Sequence, residues 1–425
     1  MPPPLELPTI QNWSCHNCGG CCRQHAVQIT AEERQRIIDQ GWDASNGVPA
    51  GQPLFVWASG PPWRKRYRLG HQPDGACVFL DERGLCRIHA RFGEPAKPLA
   101  CRIYPYAFHP AGKRLALSLR FSCPSVAENK GRAVTDQRVD LKELVRLVVP
   151  DGVECVPPPD IAPGQRMDWP DFLRCVEVLD QSLAGKPNDG SSITVRVLRT
   201  LYWVRLAGQA TFEFVRGDRL DDFLDILTHA AEVDVPARLE DFPEPSRTGR
   251  MQFRLLAAQY SRSDTVLGSR SGWRGRWRLL QAALRFTRGT GLIPTVDDKF
   301  KEVPFAALEP SFGPLPPQAE EMFTRYFRVK IQGLHFCGRA YYGVPFVEGF
   351  WSLALVLPVS LWLARWFAAS AGRTSLTFDD VLRGLTTADH HHGYSPLFGQ
   401  PGFRGRVRLL AKLDDISKLV AWYSR

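Results

Sequence analysis

Long runs of Lys and Arg are missing from this sequence, and no nucleic-acid-binding motif accompanies its charge. The formal net charge of +10 and pI near 9.1 would suit an acidic partner. Without a basic tract or a recognition motif, the excess reads as an arginine-rich, solvated surface, and no nucleic-acid partner is expected. No leader is expected either. Met1 to Leu7 reads MPPPLEL, with no basic region followed by an apolar stretch, so a secretory signal is not expected and a cytoplasmic location is. Internal repeats and low-complexity tracts are absent. Hydrophobic content of 44% against 23% charged residues argues against disorder of the whole chain. Long apolar runs are almost absent too. Gly349 to Ala364 (GFWSLALVLPVSLWLA) is uncharged, but it contains Pro358 and is shorter than the roughly 20 apolar residues of a spanning helix. A buried core helix is expected there and no transmembrane span, with a membrane-contacting helix at 349–364 as the alternative.

What the chain has in quantity is cysteine. There are 11 in 425 residues, and those at positions 15, 18, 21, 22, 77, 86, 101 and 123 crowd into the first third. Disulfide scaffolds are small and secreted, whereas clustered cysteines in a large chain without a signal point to metal binding or chemistry. Cys15-His16-Asn17-Cys18-Gly19-Gly20-Cys21-Cys22 is C-x2-C-x2-C-C. Three thiolates at a spacing of three, on a loop whose glycines permit tight turns, can wrap one face of a cluster. Ferredoxin-type clusters use such a run with a more remote cysteine, while zinc sites more often use two separated C-x2-C pairs. An iron–sulfur cluster is therefore favoured over zinc. Cys21 and Cys22, being adjacent, point in different directions if the chain there is extended.

Two hairpins are expected to present the other thiols. Folding about Asp81–Glu82 sets Cys77 opposite Cys86, and folding about Gly112 sets Cys101 opposite Cys123; paired thiols at an open hairpin end suit a metal site, and a disulfide equally. Leu115, Leu117, Leu119 and Phe121 alternate as in a half-buried strand. His16, His25 and His89 lie near the run in sequence. His89, in C-x2-H with Cys86, is the best histidine candidate for a ligand, against a surface or hydrogen-bonding role. Arg23, Arg87 and Arg102 each follow a cluster cysteine and either stabilise a negatively charged centre or are solvated. Cys155, Cys175 and Cys337 lack metal spacing and read as small buried residues.

The expected architecture is α+β: a cysteine-rich metal-binding domain with short β-hairpins over 1–130, a connecting region over 131–190, and a mainly helical domain over 191–425. Thr30 with Glu33 forms a capping box that starts a helix ending near Gly41. Asp43 to Pro62 reads as a loop. Helices are expected after Ser192, over 221–231, 251–260, 320–330 and 346–367. Trp273 to Arg288, with Arg274, Arg276, Arg278, Arg285 and Arg288, reads as a helix with one apolar and one solvated basic face.

CHNCGGCCR (Cys15 to Arg23) resembles the cysteine-cluster family described as zinc- or iron-chelating. CVFLDERGLCRIHARFGEPAKPLACRIYPY (Cys77 to Tyr106) and SLRFSCP (Ser118 to Pro124) resemble its flagellin lysine N-methylase branch. The resemblance implies that Cys15, Cys18, Cys21, Cys22, Cys77, Cys86, Cys101 and Cys123 chelate the metal. It also implies methyl transfer from S-adenosylmethionine to lysine in a protein substrate. No strand leading into G-x-G-x-x-G supports this directly; Gly289-Thr290-Gly291 reads as a simple turn, and the C-x3-C-x2-C of radical S-adenosylmethionine enzymes is absent. The alternative is a non-enzymatic metal-binding or redox module. A third reading, metal-assisted hydrolysis by Asp389, His390, His391 and His392, competes with a polar loop at those positions.

Overall fold

The computed structural model describes residues 3–61, 63–186, 190–262, 273–295, 297 and 299–425, with the side chains of 274–276 outside the description. The N-terminal part is built from short pieces. In chain order these are β1 (Leu5–Glu6), α1 (Gly20–Gln24), β2 (Gln28–Ile29), α2 (Ala31–Asp39), β3 (Phe55–Ser59), β4 (Arg66–Leu69), α3 (Arg87–Phe92), α4 (Leu99–Ile103), β5 (Tyr106–Ala111), β6 (Arg114–Leu119) and α5 (Pro124–Ala127). The rest is mainly helical. It runs α6 (Arg138–Val148), the small hairpin β7 (Asp160–Ala162) and β8 (Gln165–Arg166), then α7 (Trp169–Ala184), α8 (Ile193–Ala207), α9 (Asp218–Asp234), α10 (Arg247–Tyr260) and α11 (Trp273–Arg288). It closes with α12 (Pro317–Gln332), α13 (Phe346–Ala354), α14 (Val356–Ser370), α15 (Phe378–His391), α16 (Pro401–Lys412) and α17 (Asp415–Tyr423). The α+β reading holds: short strands and hairpins first, helices after.

Two cores form. The smaller gathers Ile29, Ile37, Trp42, Leu69, Val78, Phe79, Leu80 and Ile88 around the sheet β2-β4-β3. The larger takes the helices together with β6, whose Leu115, Leu117 and Leu119 are fully buried. β6 lies between β5, antiparallel, and β1, parallel. The β6 strand thus belongs to the helical core, although it sits among the cysteines in sequence.

The capping box at α2 forms as expected: Glu33 N–H donates to Thr30 Oγ1 and Thr30 N–H to Glu33 Oε2 at 2.9 Å. Glu33 does more. Its second oxygen accepts the N–H of Leu99 at 2.7 Å, at the first turn of α4. Ser192 caps α8 through Val195 N–H. The apolar run behaves as a core element. α13 and α14 together, Phe346–Ser370, are long and apolar enough to cross a membrane, and 94% of their most apolar window is buried inside the protein. Pro358 is tolerated because it falls in the first turn of α14, where its missing N–H has no helical partner to lose.

Four local expectations are corrected. Asp43 to Pro62 is not all loop, since Phe55–Ser59, rich in aromatic and β-branched residues, pairs with β4; Pro62 lies outside the described residues. Cys155 is exposed, whereas Cys175 and Cys337 are buried as expected. Asp389 to His391 is helix rather than polar loop, because Val381, Leu385 and Ala388 repeat at helical spacing into the core. α11 is a helix, but its apolar residues do not all face inward; Arg274 and Arg276 carry side chains outside the described residues.

Candidate metal centre

The C-x2-C-x2-C-C run does not stay extended. Asn17 and Gly19 adopt left-handed backbone (φ +54° and +67°) and turn the chain into α1. That helix carries Cys21 and Cys22, and their sulfurs lie 3.9 Å apart. The expectation that neighbouring thiols diverge fails because it assumed strand geometry; in a helical turn successive side chains are about 100° apart rather than opposed, and the two sulfurs can approach. The Cys22 carbonyl accepts the N–H of Cys77 at 2.9 Å, fastening the run to the next cysteine segment.

The first expected hairpin is a tight turn with a different register. Asp81 folds it locally: its carboxylate accepts the N–H groups of Arg83 and Leu85 at 2.9 and 2.7 Å. Leu80, not Cys77, therefore bridges to Cys86, and Cys77 bridges to His71. Gly84 sits at φ +79°, and a Cβ there would lie 2.2 Å from the Asn17 carbonyl oxygen. Only glycine allows the turn to press against the cysteine run. In the second hairpin, Ala111 pairs with Arg114 and Tyr106 with Leu119, one residue away from the expected register. The strands end before the thiols. Cys101 lies on α4, which stops where Pro105 cannot continue a helix, and Cys123 is the residue that precedes α5.

Although neither hairpin pairs its thiols as expected, one cavity of about 950 Å³ is lined by Cys15, Cys18, Cys21, Cys22, Cys77, Cys86, Cys101 and Cys123 together. It opens between the two cores, with Phe79 and Ile88 on one wall and Tyr106 and Leu141 on the other. His16, His25, His71 and His89 also line it. None of the eleven cysteines is in a disulfide. The thiols surround the cavity rather than converge: among the described residues, no three His, Cys, Asp or Glu side chains are grouped closely enough to hold one ion. The donor set itself, eight soft thiols on four separate chain segments, fits zinc or iron.

The cavity walls disfavour bare negative charge. The Cys22 thiol beside it, together with burial, pushes the Cys21 thiol far above its usual range. Burial pushes Cys77 up to about 12 and raises Cys101 and Cys123. Of the arginines that follow cluster cysteines, Arg102 is at the cavity and pairs with Glu94 at 3.1 Å. Arg23 and Arg87 instead line a separate surface hollow, where Arg23 meets Asp74 at 2.7 Å. Arg23 is the solvated arginine of the sequence reading, whereas Arg87 is partly buried, with its Nε shielded from solvent.

Behind the cavity lies a polar network that sequence reasoning missed. The Asp389 carboxylate accepts Ser122 N–H at 2.9 Å and pairs with the Lys330 ammonium at 2.7 Å, both charged groups being fully buried. Lys330 also donates to the Leu119 carbonyl at 3.1 Å. The His25 ring stacks on His390 at 4.8 Å and tilts against Tyr104 at 5.0 Å. The Arg120 guanidinium covers the Tyr394 ring at 3.6 Å. Burial lowers the His25 imidazole to about 3. Asp389 and His390 are thus engaged at the rear of the site, Asp389 with Ser122 and Lys330 and His390 with His25. The signal in sequence was a Lys and an Asp on otherwise apolar helical faces.

Residues 14–124 match the family model CxxCxxCC, described as "Putative zinc- or iron-chelating domain". The match covers that segment of the 425-residue chain and does not extend to the helical part. No curated protein and no solved structure matches the chain.

Proposed function

We propose that the eight cavity cysteines hold iron–sulfur of the 4Fe-4S type, four thiolates to a cluster, as two clusters or as one with spare thiols, and that the protein uses it in methyl transfer from S-adenosylmethionine to lysine in a protein substrate. The observation that carries the metal reading is the cavity itself, on which four chain segments place every cysteine of the cluster. Iron is preferred to zinc because the run at 15–21 offers three thiols at a spacing of three, as ferredoxin-type ligand runs do. Bound there, such a centre would supply one-electron chemistry or a Lewis-acidic iron. A reducing, cytoplasmic setting would keep these thiols free to bind a metal.

The methyl-transfer reading is supported by the likeness of Cys77–Tyr106 and Ser118–Pro124 to the flagellin lysine N-methylase branch. The cavity volume lies in the range of small-molecule sites. Glu94, Asp140 and Glu143 on its lining give it carboxylates suited to a sulfonium or an ammonium. In the reaction, the neutral lysine nitrogen would attack the methyl carbon as its bond to the sulfonium sulfur breaks, releasing the neutral thioether S-adenosylhomocysteine, and the methylated ammonium would then lose a proton. A second reading, a structural zinc in a non-enzymatic module, is favoured by the sparse smaller core, since small lobes often draw folding energy from a metal.

Anaerobic purification with iron, acid-labile sulfide and zinc assayed on one sample tests the metal. Iron and sulfide in near-equal amounts, lost in the Cys15→Ser/Cys18→Ser/Cys21→Ser variant, support the cluster. Zinc alone selects the structural reading, and neither metal overturns both. Equilibrium binding of S-adenosylmethionine to the loaded protein then tests the activity, and absence of binding removes it.

A further inference from the structure

The helix α11 has two apolar faces, and only one is used. Phe286 points inward, buried against Phe305 and Trp362 with ring centroids 5.4 and 6.3 Å away. From α10, Arg254 donates to the carbonyls of Phe286 and Thr287 at 2.9 and 3.2 Å, which fixes the end of the helix. On the opposite side stand Trp273, Trp277, Leu280 and Leu284, at a spacing that aligns them along one stripe. Their relative exposures are 73, 55, 50 and 50%. Four large apolar side chains at helical spacing facing solvent are not the scattered singles of an ordinary surface.

The residues beside the stripe narrow its occupant. Arg278, Arg285 and Arg288 are exposed, and on a helical wheel they fall along one flank of the stripe. No Asp or Glu occurs between Trp273 and Arg288. A second copy of the helix packed face to face would bring two arginine flanks together with no carboxylate on either helix to receive them. Large apolar side chains exposed along one side of a helix suit a deformable surface that can receive them. Indole rings favour the level of lipid headgroups, and a basic flank favours anionic ones.

We infer that the outer face of α11 docks the protein on an anionic phospholipid surface, the helix lying in the interface plane with Trp273, Trp277, Leu280 and Leu284 inserted and the arginines at phosphate level. This attachment is independent of the metal centre. The full-length, metal-loaded protein is sedimented with vesicles of phosphatidylcholine alone and of phosphatidylcholine mixed with phosphatidylglycerol, with tryptophan emission followed in parallel. Binding to the mixed vesicles only, a blue shift, and reversal by high salt are expected. Trp277→Glu/Leu284→Glu should abolish binding. Arg278→Gln/Arg285→Gln should weaken it by roughly tenfold or more, since each basic residue near the surface adds to the attraction. All four changes are at exposed positions, so an unchanged circular dichroism spectrum and metal content certify the fold. Equal binding to both vesicle types, binding that survives the variants, or a concentration-dependent dimer that the variants dissociate would each overturn the inference.

Discussion

Ser122 and Asp389 are joined across 267 positions of sequence by one hydrogen bond, N–H to carboxylate at 2.9 Å. Ser122 immediately precedes Cys123, so the last thiol of the cavity is held by a side chain from α15. Asp389 in turn neutralises Lys330, a lysine with no access to solvent. The helical part of the protein is therefore a structural component of the cysteine site.

Removing that carboxylate should be costly. Asp389→Ala leaves a buried ammonium and a buried N–H without their partner, for which a loss of about 3–5 kcal/mol is expected. Urea denaturation measures it. The double variant Asp389→Leu/Lys330→Met should recover much of the loss, because replacing both members of a buried pair by apolar groups is often nearly neutral. No recovery would show that the Ser122 contact, not the ion pair, dominates.

Glu33 couples two segments through its two oxygens, one on Thr30 N–H and one on Leu99 N–H. Glu33→Ala should destabilise the smaller core by about 1–2 kcal/mol, the scale of a lost helix cap. It should also loosen α4 and with it Cys101. Amide hydrogen exchange at residues 99–103 is the measurement, and protection unchanged from the parent protein would contradict the coupling.

Gly84→Ala is expected to lower metal content while leaving the helical core intact. The added methyl would meet the Asn17 carbonyl oxygen, and its left-handed backbone is strained for alanine. Retained metal stoichiometry in Gly84→Ala would mean that the 81–85 turn can move away from the cysteine run without harm.

Acid sensitivity should come partly from buried histidines. Burial lowers both His109 and His392 from an ordinary value of 6.5 to about 3, with Lys330 adding repulsion. The native state then binds fewer protons than the unfolded chain between those values. Their contribution is fully present above about pH 6.5 and is lost as pH falls through that window toward 3. His392→Gln, which keeps an acceptor for the Tyr260 hydroxyl at His392 Nδ1, should flatten the pH dependence of the urea midpoint below 6.5. An unchanged slope would assign acid lability to other groups.

Much of the site was legible because its signals are local. The C-x2-C-x2-C-C run, the Thr30–Glu33 cap and the alternation of Leu115, Leu117 and Leu119 each rest on residues a few positions apart. The register of the 81–85 turn was not legible, since it depends on which N–H groups the Asp81 carboxylate accepts. Cys101 and Cys123 read as strand residues because the alternating pattern was extended past Pro105 and Leu119, where no pairing partner exists. The Lys330–Asp389 pair lies beyond any spacing rule: two charged residues on different helices reveal themselves as partners only when those helices pack. The apolar stripe of α11 was visible as a pattern, but periodicity does not say which side of a helix meets the core.

The dependence of Cys123 on Asp389 also sets an order of events during synthesis. The chain emerges from its N-terminus at roughly 5–20 residues per second, so the thiols leave the ribosome on the order of tens of seconds before the residue that braces the last of them. Through that interval, the cysteines stand on a half-built scaffold. If these thiols take up metal as proposed, loading before α15 is made would meet the thiols without the brace that Asp389 gives Ser122 beside Cys123.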